Sequence, residues 1–143
     1  MRILISPAKK MVVDTDTYAV MGCLYLWKIQ KRILTTIKKL SYEEAKALWQ
    51  CNDKIAKVNY KRFEEMDLKR NLTPAILAYK GLQYQHIAPA VFTEDALTYL
   101  EASVRILSGF YGVLSPFDGV VPYRLEMQAE LPIKGKKNLY VYW

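Results

Sequence analysis

Lysine supplies most of the recognisable chemistry in this chain. Lys54, Lys57 and Lys61 stand three and four residues apart, the spacing that puts side chains on one face of a helix, and Arg62 adjoins them. Such a row suits a phosphate backbone, which it would follow without reading bases. Lys9 and Lys80 have a different setting. Each comes just after a short apolar run, Ile3-Leu4-Ile5 or Ala75-Ile76-Leu77-Ala78-Tyr79, where side chains of α/β folds commonly line a crevice. Arg124 and Glu126 are two apart in an alternating stretch, so they face the same way. Plainer readings compete with each of these: a solvated helix face, surface lysines at strand ends, and a surface ion pair worth little.

Other chemistries lack the residues they need. His86 is the only histidine, and Cys23 and Cys51 are the only cysteines. A zinc or soft iron site requires several such ligands, and no Ser-His-Asp or Cys-His set can be assembled. No catalytic residue, cofactor or metal site is therefore expected. Asp118 and Glu126 offer carboxylates for acid–base work or Mg²⁺, but nothing in their spacing requires it. Direct iron chelation ranks third among the functional readings, because only carboxylates and one histidine are available. Ser108-Gly109-Phe110-Tyr111-Gly112 could cradle an anion on backbone amides, with an ordinary tight turn the simpler account.

With 143 residues, 52% of them hydrophobic, the chain has enough material for one domain with a core. The net charge of +7 is uneven. Residues 1–80 hold sixteen Lys/Arg against eight Asp/Glu, whereas residues 81–143 hold five against six. The amino-terminal half thus carries a basic field that attracts polyanions. The cysteine usage fits a reducing cytosol. Lys9 and Lys10 interrupt the start before any secretory apolar region develops, and Tyr18–Trp27, the longest near-apolar run, is far short of the ~20 residues of a membrane helix. A cytoplasmic protein that makes no membrane contact is expected.

The elements that must position these residues can be read from period and punctuation. Ile3–Ile5 reads as a strand stopped by Ser6-Pro7. Tyr18–Leu40 reads as a helix, with Leu26, Ile29, Ile33, Ile37 and Leu40 inward and lysines elsewhere. Ser41 and Glu44 have capping-box spacing and open a second helix to about Gln50. Asn52 or Asp53 caps a third through about Met66, with Ile55, Val58 or Asn59, Phe63 and Met66 inward. Ala75–Tyr79 reads as a strand or buried turn. Thr93-Glu94-Asp95 starts another helix, which passes into a strand near Arg105–Leu107. Tyr123, Leu125, Met127, Ala129 and Leu131 alternate with Arg124, Glu126, Gln128 and Glu130 in the period of a half-buried strand. Pro132–Asn138 is a basic turn around Gly135, and Leu139–Trp143 begins a further element. The economical fold is a single α+β (mixed α/β) domain over residues 1–143, with a helical amino-terminal half and a mixed sheet.

Four blocks resemble the YaaA family of peroxide stress proteins. They are Ile5-Ser6-Pro7-Ala8-Lys9; Asn52-Asp53-Lys54-Ile55-Ala56 through Asn59 and Arg62-Phe63; Ala75–Gly81 through Tyr84; and Arg105–Leu114 through Pro116, Asp118 and Pro122–Met127. Their order and approximate spacing match across the whole chain. Lys10 and Ser115 depart from the pattern, at positions where the family often has a small hydroxyl residue and a basic residue respectively. The resemblance implies a longer protein of which this is the amino-terminal part, with an unmatched apolar face near Leu139–Trp143. It implies a role in protection from hydrogen peroxide by lowering unincorporated iron, and DNA binding through a helix-hairpin-helix element. Helices 41–50 and 53–66, joined at Cys51-Asn52, are the candidates for that element, although they lack the glycines that would let phosphate approach closely.

Two readings follow. One is a non-enzymatic stress protein that binds duplex DNA non-specifically through Lys54, Lys57, Lys61 and Arg62. The other is an enzyme acting on a phosphorylated or otherwise anionic small molecule. Lys9, Lys80, Tyr84, Arg105, Tyr111, Arg124 and Glu126 all fall in the resembling blocks and are expected to converge on one positive cleft suited to such anions.

Overall fold

The computed structural model describes residues 1–22 and 26–143. Among these the architecture is α+β, with seven α-helices and three small sheets. The chain divides into two compact units that interleave along the sequence. The first takes the described residues of Met1–Leu24 with Asp67–Ser108 and Val113–Pro122; the second takes those of Tyr25–Met66 with Gly109–Gly112 and Tyr123–Trp143.

The first unit holds the strands, apart from Gly112 at the start of one of them. β1 (Ile3–Ile5) pairs in parallel with β5 (Val104–Ser108), Leu4 opposite Arg105, and β6 (Gly112–Leu114) flanks β5 on its other side. β2 (Lys10–Met11) lies antiparallel to β4 (Tyr79–Lys80), and β3 (Thr73–Pro74) antiparallel to β7 (Gly119–Val120). Ala75–Tyr79 divides between the two readings it allows. Ala75–Ala78 forms one wholly buried helical turn, α4, and Tyr79 opens β4. α5 (Leu82–Ile87) follows, and then α6 (Glu94–Ser103), where Thr93 accepts the Ala96 amide as expected of a cap. The strand anticipated near Arg105 begins at Val104, where the backbone turns extended directly after the helix.

The second unit holds α1 (Trp27–Lys38), α2 (Tyr42–Trp49) and α3 (Asp53–Glu65). The capping box at α2 is complete, with Ser41 accepting from the Glu44 amide and the Glu44 carboxylate accepting from the Ser41 amide. An aromatic series forms the core. Trp49 stacks on Phe63 at 5.5 Å, Phe63 meets Phe110 edge-on at 5.9 Å, and Phe110 contacts Tyr111 and Tyr123 at 4.8 and 5.4 Å. The terminal α7 (Leu139–Tyr142) is capped by Asn138, and the Trp143 indole N–H donates to the Gly109 carbonyl at 2.9 Å.

Three sequence expectations need correction. The helix expected from Tyr18 begins at Trp27. Tyr18 is held elsewhere, donating its hydroxyl to the Pro89 carbonyl, while the Met21 amide donates to the Phe117 carbonyl and Gly22 bridges to Asp118. Tertiary contacts outweigh helical periodicity there; Cys23 and the rest of that expected helix over 23–25 lie outside the described residues. On α3 the inner face is Ala56, Asn59 and Phe63, leaving Ile55 and Val58 exposed. Tyr123–Leu131 keeps its alternation of burial but enters no sheet among the described residues, and the Ala129 amide closes a turn onto the Glu126 carbonyl. Among the described residues no helix is long and apolar enough to cross a membrane.

Candidate functional site

In the first unit the loop after β1 and the start of α5 come together. The Tyr84 hydroxyl donates to the Ser6 carbonyl at 2.8 Å, and its ring lies buried against Tyr79 at 5.5 Å. A Cβ on Gly81 would sit 3.2 Å from that of Ala8, so a small residue keeps these two segments close. Lys80 then falls directly opposite Lys10 in the β2–β4 ladder. Directly opposed residues of an antiparallel pair share a face, so the two exposed lysine side chains leave the ladder on the same side, with Lys9 next in the chain. Asp14 is the acid that feels Lys80. Its carboxyl is held below the usual range mainly by hydrogen bonds from the Thr17 hydroxyl and amide, with a smaller pull from Lys80.

The segments that carry three of the expected cleft residues, Lys9, Lys80 and Tyr84, thus meet at one corner. Lys10, which completes it, carries no signal in the sequence, because its pairing depends on a two-residue ladder between segments about seventy residues apart. Arg105 also lies in the first unit but is occupied structurally. Its guanidinium donates to the Glu101 and Val104 carbonyls at 2.7 and 2.6 Å, closing the end of α6. It also draws on Asp118, whose carboxyl burial pushes up and the Ser115 amide and Arg105 pull back down. Asp118 accepts the Ser115 amide at 2.8 Å, and any Cβ at Gly22 would overlap its Oδ1. Asp118 therefore organises the Ser115–Gly119 turn.

The remaining three belong to the second unit. Tyr111 is buried among Phe110 and Tyr123, and its carbonyl accepts from the Gln30 amide at 3.2 Å. Glu126 is half-buried and accepts from the Gln128 side chain. Arg124 is half-buried, with its Nε shielded from solvent and without a hydrogen-bond partner among the described residues. Among the described residues no three His, Cys, Asp or Glu side chains are grouped to hold a metal ion.

The α2–α3 connection has a specific electrostatic character. Asn52 accepts the Ile55 amide at 3.0 Å, so one free amide at the start of α3 is already satisfied. The Asp53 carboxylate sits in the same first turn, bound by Lys46 at 2.8 Å and the Tyr42 hydroxyl at 3.1 Å. Those bonds, Lys46 first, hold Asp53 below the usual carboxylate range and Lys46 above the usual ammonium range. An incoming phosphate would meet a fixed negative charge there. What α3 offers an anion is its side: Lys54, Lys57 and Lys61 are all exposed, while Arg62 is half-buried and its pKa is lowered by desolvation.

The whole chain matches a family described as peroxide stress protein YaaA, over residues 1–143. It is 55% identical across its full length to a UPF0246 protein of Lactiplantibacillus plantarum, 56% to one of Pediococcus pentosaceus and 52% to one of Lachnoclostridium phytofermentans. It spans 58%, 57% and 56% of the lengths of those relatives respectively.

Proposed function

The chain belongs to the YaaA family of peroxide stress proteins, and from that premise we propose that it works in the peroxide stress response by covering duplex DNA. The covering would limit damage from unincorporated iron. Iron(II) bound to phosphate oxygens reduces hydrogen peroxide to hydroxide and hydroxyl radical and becomes iron(III), so the radical arises against the strand it attacks. Ammonium groups on the same phosphates compete with the metal for them. The observation supporting this reading is the exposed row Lys54, Lys57 and Lys61 on α3, directed at solvent and spaced to meet a backbone.

The test is nicking of supercoiled plasmid by iron(II) and peroxide, with binding followed in parallel. Nicking falls as the DNA saturates with protein, and the triple Lys→Glu variant at 54, 57 and 61 protects less on every sequence alike. DNA that is saturated yet nicked at the unprotected rate overturns the iron part. Absence of binding at about 50 mM salt, where phosphate contacts are strong, overturns the reading entirely.

A second reading rests on the Lys10–Lys80 pair, with Lys9 beside it and Tyr84 fixing the loop. Like charges directly opposite on a ladder repel, and a phosphorylated or other small anion between them would relieve that. Inorganic phosphate and nucleoside phosphates should then raise the melting temperature, and Lys80→Ala should abolish the shift. An unchanged melting temperature at millimolar phosphate removes this reading.

A further inference from the structure

The most one-sided charge in the molecule lies on α1. From Thr17 to Tyr42 the sequence contains no carboxylate, yet it holds Lys28, Lys31, Arg32, Lys38 and Lys39. The helix buries Gln30, Ile33, Leu34 and Ile37, which leaves all five cations exposed. Lys28, then Lys31 and Arg32, then Thr35, then Lys38 and Lys39 follow one another at three- and four-residue steps, forming a continuous stripe. At 1.5 Å per residue, the eleven steps from Lys28 to Lys39 span about 16 Å. None of these five side chains is in an ion pair among the described residues.

We infer that α1 is the principal nucleic-acid surface of the second unit, docking its cationic stripe along the phosphate backbone of a duplex. The inference rests on the reading that the protein contacts DNA and says where the main contact lies. α3 is the weaker competitor. It carries Asp53, Glu64 and Glu65 among its cations, Lys61 already lies 3.9 Å from Glu65, and Asp53 occupies its first turn. On α1, Lys28 repels both Lys31 and Arg32 with no acid to offset them, a cost that a polyanion removes. Lys38 and Lys39 favour the negative end of the helix dipole, but Lys28 stands at the positive end, where a cation is disfavoured.

Phosphate headgroups of an anionic membrane share this chemistry, but the fold favours nucleic acid. A helix that lies on a bilayer inserts an apolar face, and the apolar face of α1 is buried in its own unit through Ile33, Leu34 and Ile37. The stripe touches phosphates only, so binding should not depend on sequence.

The test compares three proteins on a fluorescent duplex over a salt series: the unaltered chain, a variant with Lys28→Gln, Lys31→Gln, Arg32→Gln and Lys38→Gln, and one with Lys54→Gln, Lys57→Gln and Lys61→Gln. Every substituted side chain is exposed, and unchanged circular dichroism melts establish that each variant folds. The slope of log affinity against log salt should become shallower by roughly 0.9 for each phosphate that the variant no longer neutralises, and the α1 variant shows the larger change. If the unaltered chain binds and the α1 variant keeps its affinity and slope, the inference is overturned while DNA binding stands. If the unaltered chain ignores the duplex but binds phosphatidylserine vesicles through α1, both the DNA reading and this inference fall. Binding to neither also overturns both.

Discussion

The α2–α3 pair and the stretch Tyr123–Leu131 belong to the same unit and are both regular in sequence, yet they are held by opposite means. The helices carry their instructions locally. Ser41 and Glu44 start α2, Asn52 starts α3, and Lys46–Asp53 joins them within a few turns of chain. The stretch 123–131 has none of this. Its alternating burial comes from Tyr123, Leu125, Ala129 and Leu131 sinking into a core supplied by distant segments, with no partner strand among the described residues. Alternation therefore reports which side chains are covered, and pairing is a separate fact. β5 shows the contrast: it has the same alternation, but β1 lies alongside it in parallel.

The comparison breaks most readily at Phe110. This ring is fully buried and meets Phe63 of α3 as well as Tyr111 and Tyr123, so it links the helical pair to the irregular stretch. Phe110→Ala should cost about 3–5 kcal/mol, measured as a lower urea midpoint. A loss under about 1 kcal/mol would mean that the two regions do not share a core.

Gly109 separates the regions more cleanly. A Cβ there would lie 2.6 Å from the Leu125 carbonyl oxygen and about 3 Å from backbone atoms of Glu126 and Met127, none of which can rotate away. Gly109→Ala should cost about 1–3 kcal/mol, as overpacking does. Hydrogen exchange should show the loss concentrated in 123–131, with the amides of α2 and α3 still protected. Uniform loss of protection would show that the stretch is no less locally specified than the helices.

How far the sequence can be read follows the same division. Capping at Ser41, Asn52 and Thr93, the acid-led start of α6 and the turn at Gly135 are short-range effects, and each is found where its residues stand. The lysine row of α3 is legible for the same reason. Tyr18–Met21 misleads because its residues answer to Pro89 and Phe117, nearly a hundred residues away in the latter case. Periodicity points Ile55 inward on α3 and leaves Val58 and Asn59 as alternatives, whereas packing against neighbouring helices buries Ala56 and Asn59 and leaves Ile55 and Val58 exposed. Of the candidate site, Lys80 and Tyr84 can be found in their block. Lys10 becomes visible only through the ladder that sets it opposite Lys80.

Smaller effects sharpen the local half of the comparison. Ser41→Ala removes the acceptor for the Glu44 amide and should cost about 1 kcal/mol, read as a lower melting temperature. Lys46→Gln addresses pH. Asp53 is depressed chiefly by Lys46, so this pair stabilises the fold above the ordinary carboxylate pKa and the benefit disappears as pH falls through the lower folded value. The unaltered protein should therefore lose more stability than the Lys46→Gln variant between neutral pH and strong acid. Parallel pH profiles would show that the 2.8 Å contact does not couple to folding.

The smallest effect belongs to Lys61. Its contact with Glu65 is 3.9 Å long, both side chains are largely solvated, and the lysine precedes the acid, the poorer order for a pair four residues apart. Lys61→Gln should change stability by no more than roughly 0.3 kcal/mol in either direction. That near-neutrality has a functional consequence, because a lysine contributing so little to its own helix loses little by turning to an outside phosphate. If Lys61→Gln instead destabilises by about 1 kcal/mol or more, well above the range for exposed pairs, the residue is committed to the fold. Its share in any DNA contact would then be correspondingly small, and the weight of binding would move further toward α1.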